Sequence, residues 1–228
     1  MESRVLLRRV GLRHVSRKEF WLSGPQGIAT GPDGGLWFAE AGNKIGEAVF
    51  VTADLSVSPA SGVFRDNLTF TGTAFAPNES VQIYVSGVGS SVLASAAADA
   101  SGAFTVTARA PQSPYGPRLF LGLGQSSGKL GGASFSVTPR LILNPNAGVA
   151  GSSTAVHGYG FGPLETVNIY WNNTQTLLGT MTAKVNGTFT GSAAFAFTVP
   201  AGAPPGVDKV EGIGQTTGAM GKGSFTVE

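Results

Sequence analysis

Two glutamates hold matched positions in this 228-residue chain: Glu79 follows Pro77, and Glu165 follows Pro163. A carboxylate pair can serve as general acid and base when the two groups lie within a few ångströms. These two belong to separate copies of one pattern, so a local hydrogen bond or turn role is the expectation. His157 abuts Gly158 and His14 lies near the N-terminus. Neither has a serine and an acid in the same copy at positions from which a nucleophilic triad could be assembled. Metals fare no better. The chain has no cysteine and two histidines, which removes thiolate and multi-histidine sites. Calcium needs clustered acids, whereas Asp54, Asp66, Asp99 and Asp208 are scattered singly. The segments GQSSG at 124–128 and GQTTG at 214–218 resemble phosphate cradles at first sight. They lack the lysine and following helix of a phosphate loop, and read as hairpin turns before a final strand. The expectation is no catalytic residue, no metal and no cofactor.

Aromatic residues offer a different chemistry, that of contact. Trp171 falls in register with Val85 on the core side of a strand, so it is expected in a core. Tyr84 and Tyr170 fall on the polar side of their strands and are the candidate exposed contacts for a partner. Trp21, Trp37 and Phe38 are further candidates, because residues 20–46 read as short β-type runs in search of a sheet.

The elements that would position these residues are strands. Charged residues make up 12% of the chain, which excludes a self-repelling disordered chain. Thirty-four glycines and thirteen prolines punctuate a sequence that is 42% hydrophobic, the composition of an all-β protein. No apolar run is long enough for a membrane-crossing helix. Residues 1–50 hold 7 basic and 5 acidic side chains and residues 51–228 hold 8 of each, so the net charge of +2 belongs to the N-terminal fifth. Residues 1–19, with Arg4, Arg8, Arg9, Arg13, Arg17 and Lys18, are expected to be a basic leader of little order and not a nucleic-acid patch. Arginines interrupt its apolar residues too often for a signal peptide. A start site inside a longer reading frame would explain that leader.

Internal duplication organises the remainder. GTAFAPNESV at 72–81 answers GYGFGPLETV at 158–167, and Pro59, Gly62, Ile83 and Tyr84 answer Pro145, Gly148, Ile169 and Tyr170 at one constant offset. The expected organisation is a β segment over 20–53, one domain over 54–138 and a second over 140–228. Strands are expected at 55–58, 68–73, 80–85, 92–98, 103–108, 118–123 and 133–137, then at 141–143, 154–158, 166–171, 177–183, 187–198, 207–213 and 222–227. That spacing suits a seven-stranded sandwich. Val81, Ile83 and Val85 are expected inward, with Gln82 and Tyr84 outward.

The motif of Pro-x-x-Gly, a strand, then Gly-x-x-Phe-x-Pro-x-Glu-x-Val resembles bacterial immunoglobulin-like repeats of the TIG type over 54–228, without their antibody relatives' cysteines. Gly31, Pro32, Asp33, Gly34, Leu36, Trp37, Phe38, Glu40, Asn43, Lys44, Ile45 and Gly46 resemble one blade of the streptogramin B (virginiamycin B) lyase propeller. A single blade cannot close a propeller, and the family's lyase residues, presented by other blades, have no counterpart here. These resemblances imply an all-β chain of two tandem immunoglobulin-like β-sandwiches behind a short propeller-blade-like segment. The role they imply is non-enzymatic: interaction, spacing or self-assembly at the cell surface or outside the cell. Its partners would be a protein or a second copy joined by strand addition, or a cell-wall or glycan surface. The alternative is an accessory region of a streptogramin-lyase-like or carbohydrate-active enzyme whose catalytic domain is not in this chain.

Overall fold

The computed structural model describes residues 53–172 and 176–228 in full, together with the backbone of three strands nearer the N-terminus. Residues 1–50 and 51–228 separate into two compact units. In the first, β1 (Pro25–Thr30), β2 (Leu36–Glu40) and β3 (Lys44–Ala48) form an antiparallel meander in the order β1-β2-β3. The sequence suggested two runs across the GPDGG turn; the structure adds a third strand, in which Lys44 pairs with Glu40 and Gly46 with Phe38. The leader, Trp21 and the turn itself lie outside the described residues, as do the side chains of Trp37 and Phe38.

The second unit is all-β. Its first repeat contains β4 (Asp54–Ser58), β5 (Ser61–Gly62), β6 (Asn67–Thr73), β7 (Ser80–Val85), β8 (Val92–Ala97), β9 (Phe104–Arg109), β10 (Gly116–Gly124) and β11 (Leu130–Val137). One sheet runs β4-β6-β9 and the other β5-β11-β10-β7-β8. The first strand thus serves both sheets. It pairs with β6 up to Ser58, breaks at Pro59, which has no N–H to give a ladder, and resumes as β5 beside β11.

The second repeat follows the same plan with β12 (Arg140–Asn144), β13 (Ala147–Gly148), β14 (Ser153–Tyr159), β15 (Thr166–Trp171), β16 (Leu177–Thr182), β17 (Phe195–Thr198), β18 (Gly206–Gly214) and β19 (Met220–Val227). Here a parallel bridge between Arg140 and Lys222 joins both sheets into one continuous path. Shared first strand, two facing sheets and Greek-key order define immunoglobulin-like sandwiches.

Alternation drives each sheet to bury one face. Leu68, Phe70, Val81, Ile83, Phe120 and Phe135 centre one hydrophobic cluster, and Val156, Phe161, Val167, Ile169, Phe189 and Phe225 the other. The expected strands recur with small shifts except at 187–198. There Phe189 makes an isolated bridge to Gly158, a 3-10 turn occupies Gly191–Ala193, and pairing to β14 resumes at Phe195. Gly191, at φ +64, turns the backbone away from the extended conformation.

Candidate functional site

The strongest polar constellation in each repeat is built on the matched glutamate. Glu79 is 4% exposed. Its Oε1 accepts the Ala76 N–H at 2.6 Å and the Ser127 hydroxyl at 2.8 Å. Its Oε2 accepts the Ser126 hydroxyl at 3.0 Å and the N–H groups of Ser126 and Ser127 at 3.2 and 3.0 Å. Glu165 repeats the arrangement, taking the N–H of Gly162, the N–H groups of Thr216 and Thr217 at 3.3 and 3.1 Å, and the Thr217 hydroxyl at 3.0 Å. GQSSG and GQTTG therefore do cradle a carboxyl group, but one supplied by the fold itself. The leading glycine of each is a matter of space: a Cβ on Gly124 or Gly214 would stand 2.4 Å from the glutamate Oε1. Burial opposes the charge on Glu79, but the Ala76 amide and the serine donors outweigh it and hold the carboxyl down at about 2. This is an ionised staple, tying the loop before β7 to the β10–β11 hairpin, and it has no free lone pair turned to solvent chemistry.

A second constellation lies where the repeats meet. The Tyr115 N–H donates to the Phe161 carbonyl at 3.0 Å, and Phe64 stacks on Tyr159 with centroids 4.3 Å apart and planes at 19°. Arg140 Nη1 donates to the Phe64 carbonyl at 3.2 Å. Arg118 stiffens the corner by donating from Nη2 to the Pro114 and Tyr115 carbonyls at 2.8 and 3.3 Å. Pro114 lies so close to Gly187 that a Cβ on the glycine would come within 2.8 Å of the proline Cα. None of Phe64, Tyr115 or Tyr159 was singled out from sequence. The duplication held the signal: at the positions matched to Phe64, Tyr115, Arg140 and Tyr159 stand Ala150, Pro205, Asp54 and Thr73. Residues that differ between copies mark what the fold does not require.

Of the aromatic candidates, Tyr84 is corrected. It is 7% exposed, and its hydroxyl donates to Gln82 Oε1 at 2.5 Å. Its cross-strand neighbour on β10 is Leu121, itself 3% exposed, so the outer face is apolar at this point. Tyr170 faces Glu211 across β18 and stays half-buried, its hydroxyl accepting from Asn168 Nδ2 at 3.2 Å. The burial alternation breaks in β7, where Tyr84 is buried and Val85 half-buried, whereas β15 keeps it through Trp171 although both strands shift register against their hairpin partners after Ile83 and Ile169. Trp171 is 6% exposed and packs edge-on to Phe197 with centroids 5.8 Å apart. Asp208 is buried, with Oδ1 accepting from Asn172 Nδ2 at 2.6 Å. Among the described residues no three histidine, cysteine or acidic side chains gather at a metal-binding spacing, and no helix is long and apolar enough to cross a membrane.

Residues 51–137 match the family described as macroglobulin-like domain. No curated protein matches the chain in sequence. Among solved structures, the chain is similar to a tetra-tandem repeat in the extending region of a large adhesion protein, with 17% identity and a TM-score of 0.32. That match covers 85% of this chain and 55% of the other, so the chain spans about half its length. A C-terminal fragment of intimin, solved with the intimin-binding domain of its translocated receptor, is 11% identical with a TM-score of 0.31 and shares of 79% and 65%. InvD of Yersinia pseudotuberculosis is 16% identical with a TM-score of 0.28 and shares of 77% and 57%.

Proposed function

We propose that this chain is a non-enzymatic interaction and spacing module of the cell surface or extracellular space, with immunoglobulin-like domains over 54–138 and 140–228 set at a fixed relation. The joint carries this reading. A mere tether between two beads needs no side chains of its own, yet here a stacked aromatic pair, an arginine and a main-chain hydrogen bond span the boundary. Each is encoded at a position where the duplicate residue could not do the same. Proline at the place of Tyr115, for instance, has no N–H to donate.

Among the described residues the sandwiches also have free edges. β8 and β16 each pair on one side, and their sequences VLASAA and LLGTMT carry no charge. Uncharged edges lack the usual protection against pairing with another strand, which supports strand addition as the mode of association.

The chain has no cysteine, so paired spin labels can be placed at will. With labels on Ser95 and Thr180, both exposed on the edge strands, a narrow distance distribution is expected. It should broaden in Tyr115→Pro and Tyr159→Ala variants. A broad distribution in the unaltered joint would overturn the spacer reading.

A further inference from the structure

The described residues of the first repeat carry a shallow, open depression of about 530 Å³ lined by Phe64, Arg65, Leu93, Arg109, Ala110 and Pro111. The second repeat provides a control for what the fold itself demands at this place. Arg65 N–H donates to the Ala110 carbonyl at 3.0 Å and Ala110 N–H to the Asp66 carbonyl at 2.8 Å; Gly151, Val199 and Ser152 make the same two bonds at the same lengths. On that shared backbone the second repeat has Ala150, Gly151 and Thr198 where the first has Phe64, Arg65 and Arg109. The exchange at 65 runs against conformational preference. Gly151 sits at φ +83, a region open to glycine, while Arg65 holds φ +73. An arginine there is strained where glycine is at ease, and such an outlier points from structure to function.

The three exchanges also act together. Arg65 places its guanidinium 5.1 Å from the Phe64 ring centroid, and Arg109 Nη1 donates to the Arg65 carbonyl at 2.9 Å. Both arginines are exposed. The one ion pair among the described residues is Lys222 with Glu211, on the other repeat, so neither guanidinium has a carboxylate partner. Two cationic forks thus lie beside an apolar floor of Leu93, Ala110 and Pro111. Guanidinium forks match carboxylate and phosphate oxygens bidentately.

We propose that this depression is a binding site for an acidic peptide segment, whose carboxylate engages Arg65 and Arg109 while a neighbouring apolar side chain rests on the floor. A peptide is favoured over an acidic sugar for two reasons. The Phe64 ring is already stacked on Tyr159, and so is not a free platform for a pyranose. β9, which ends at Arg109, is an edge strand whose outer side is unpaired among the described residues, so an extended peptide finds main-chain partners there. The proposal deepens the interaction-module reading and rests on it, and its readout is independent of the joint: rigid labels with no peptide binding would reject the site alone.

The test titrates the full chain with a fluorescein-labelled Leu-Glu-Leu-Glu-Leu-Glu peptide. The expected result is saturable, salt-sensitive binding that Arg65→Gly and Arg109→Thr each weaken by about tenfold or more. Arg65→Gly restores the residue of the duplicate and should leave the melting temperature unchanged or raised, which separates lost binding from lost folding. No binding by the unaltered chain, equal binding of a Leu-Gln peptide, or full binding by Arg65→Gly would each overturn the site. Oligogalacturonate or inorganic phosphate displacing the peptide at equal concentration would overturn its assignment to peptides.

Discussion

Removing the Glu79 carboxylate would leave the amides of Ala76, Ser126 and Ser127 without their acceptor. These donors sit on half-buried and exposed residues that water reaches in part, so the loss is that of hydrogen bonds to a charged group, and Glu79→Ala should lose about 1–2 kcal/mol in urea unfolding. The same residue sets an acid dependence. Its folded pKa of about 2 lies below its ordinary value of 4.5, so its contribution is complete above the ordinary value and drains away as pH falls towards the folded one. Asp99 works in the same direction, its carboxyl lowered by the Ser101 hydroxyl and the Ala103 and Ser101 amides. A Glu79→Gln chain should therefore start less stable at neutral pH and lose less on acidification; parallel curves for both chains would reject the staple. From sequence, Glu79 and GQSSG each had a sound local reading as turn elements. That they are one device was illegible, because forty-seven residues separate Glu79 from Ser126 and no spacing rule links a carboxylate to a distant hairpin.

At the level of elements, the repeated motif owes its glycine to a neighbouring strand. A Cβ on Gly158 would stand 2.1 Å from the Phe189 ring, and one on Gly72 equally close to Phe104. Phe161 and Phe75 pack against those same rings, with centroids 5.5 and 5.4 Å away. Gly158→Ala should therefore destabilise the fold by about 1–3 kcal/mol through overpacking, and Phe189→Leu in the same chain should recover part of the loss. Additive losses in the double variant would show that the ring is not what the glycine accommodates. Strand positions were legible because alternation and turn residues are local signals. The break within 187–198 was not, since Phe189 and Phe195 look alike in sequence, while the turn between them answers to what packs on Gly158 and β14. Tyr84 failed for the same kind of reason: its period is right, but burial of the outer face depends on Leu121 of another strand.

For the molecule as a whole, the N-terminal unit and the sandwiches are separable compact bodies, so a chain of residues 51–228 should stay folded. If residues 20–46 contribute a strand to assembly, light scattering should find a larger mass for the full chain than for 51–228, in excess of the deleted segment; equal oligomeric states would reject that part for the N-terminal unit. The all-β class, the duplication and core positions such as Val81, Ile83, Val167 and Ile169 were determined by the sequence alone, since composition, repeat offset and period-two alternation are written in neighbouring residues. The glutamate staple, the joint through Phe64 and Tyr159 and the paired arginines were decided by tertiary structure. Each joins residues remote in the chain, and a folded backbone alone brings such groups within hydrogen-bonding or stacking distance.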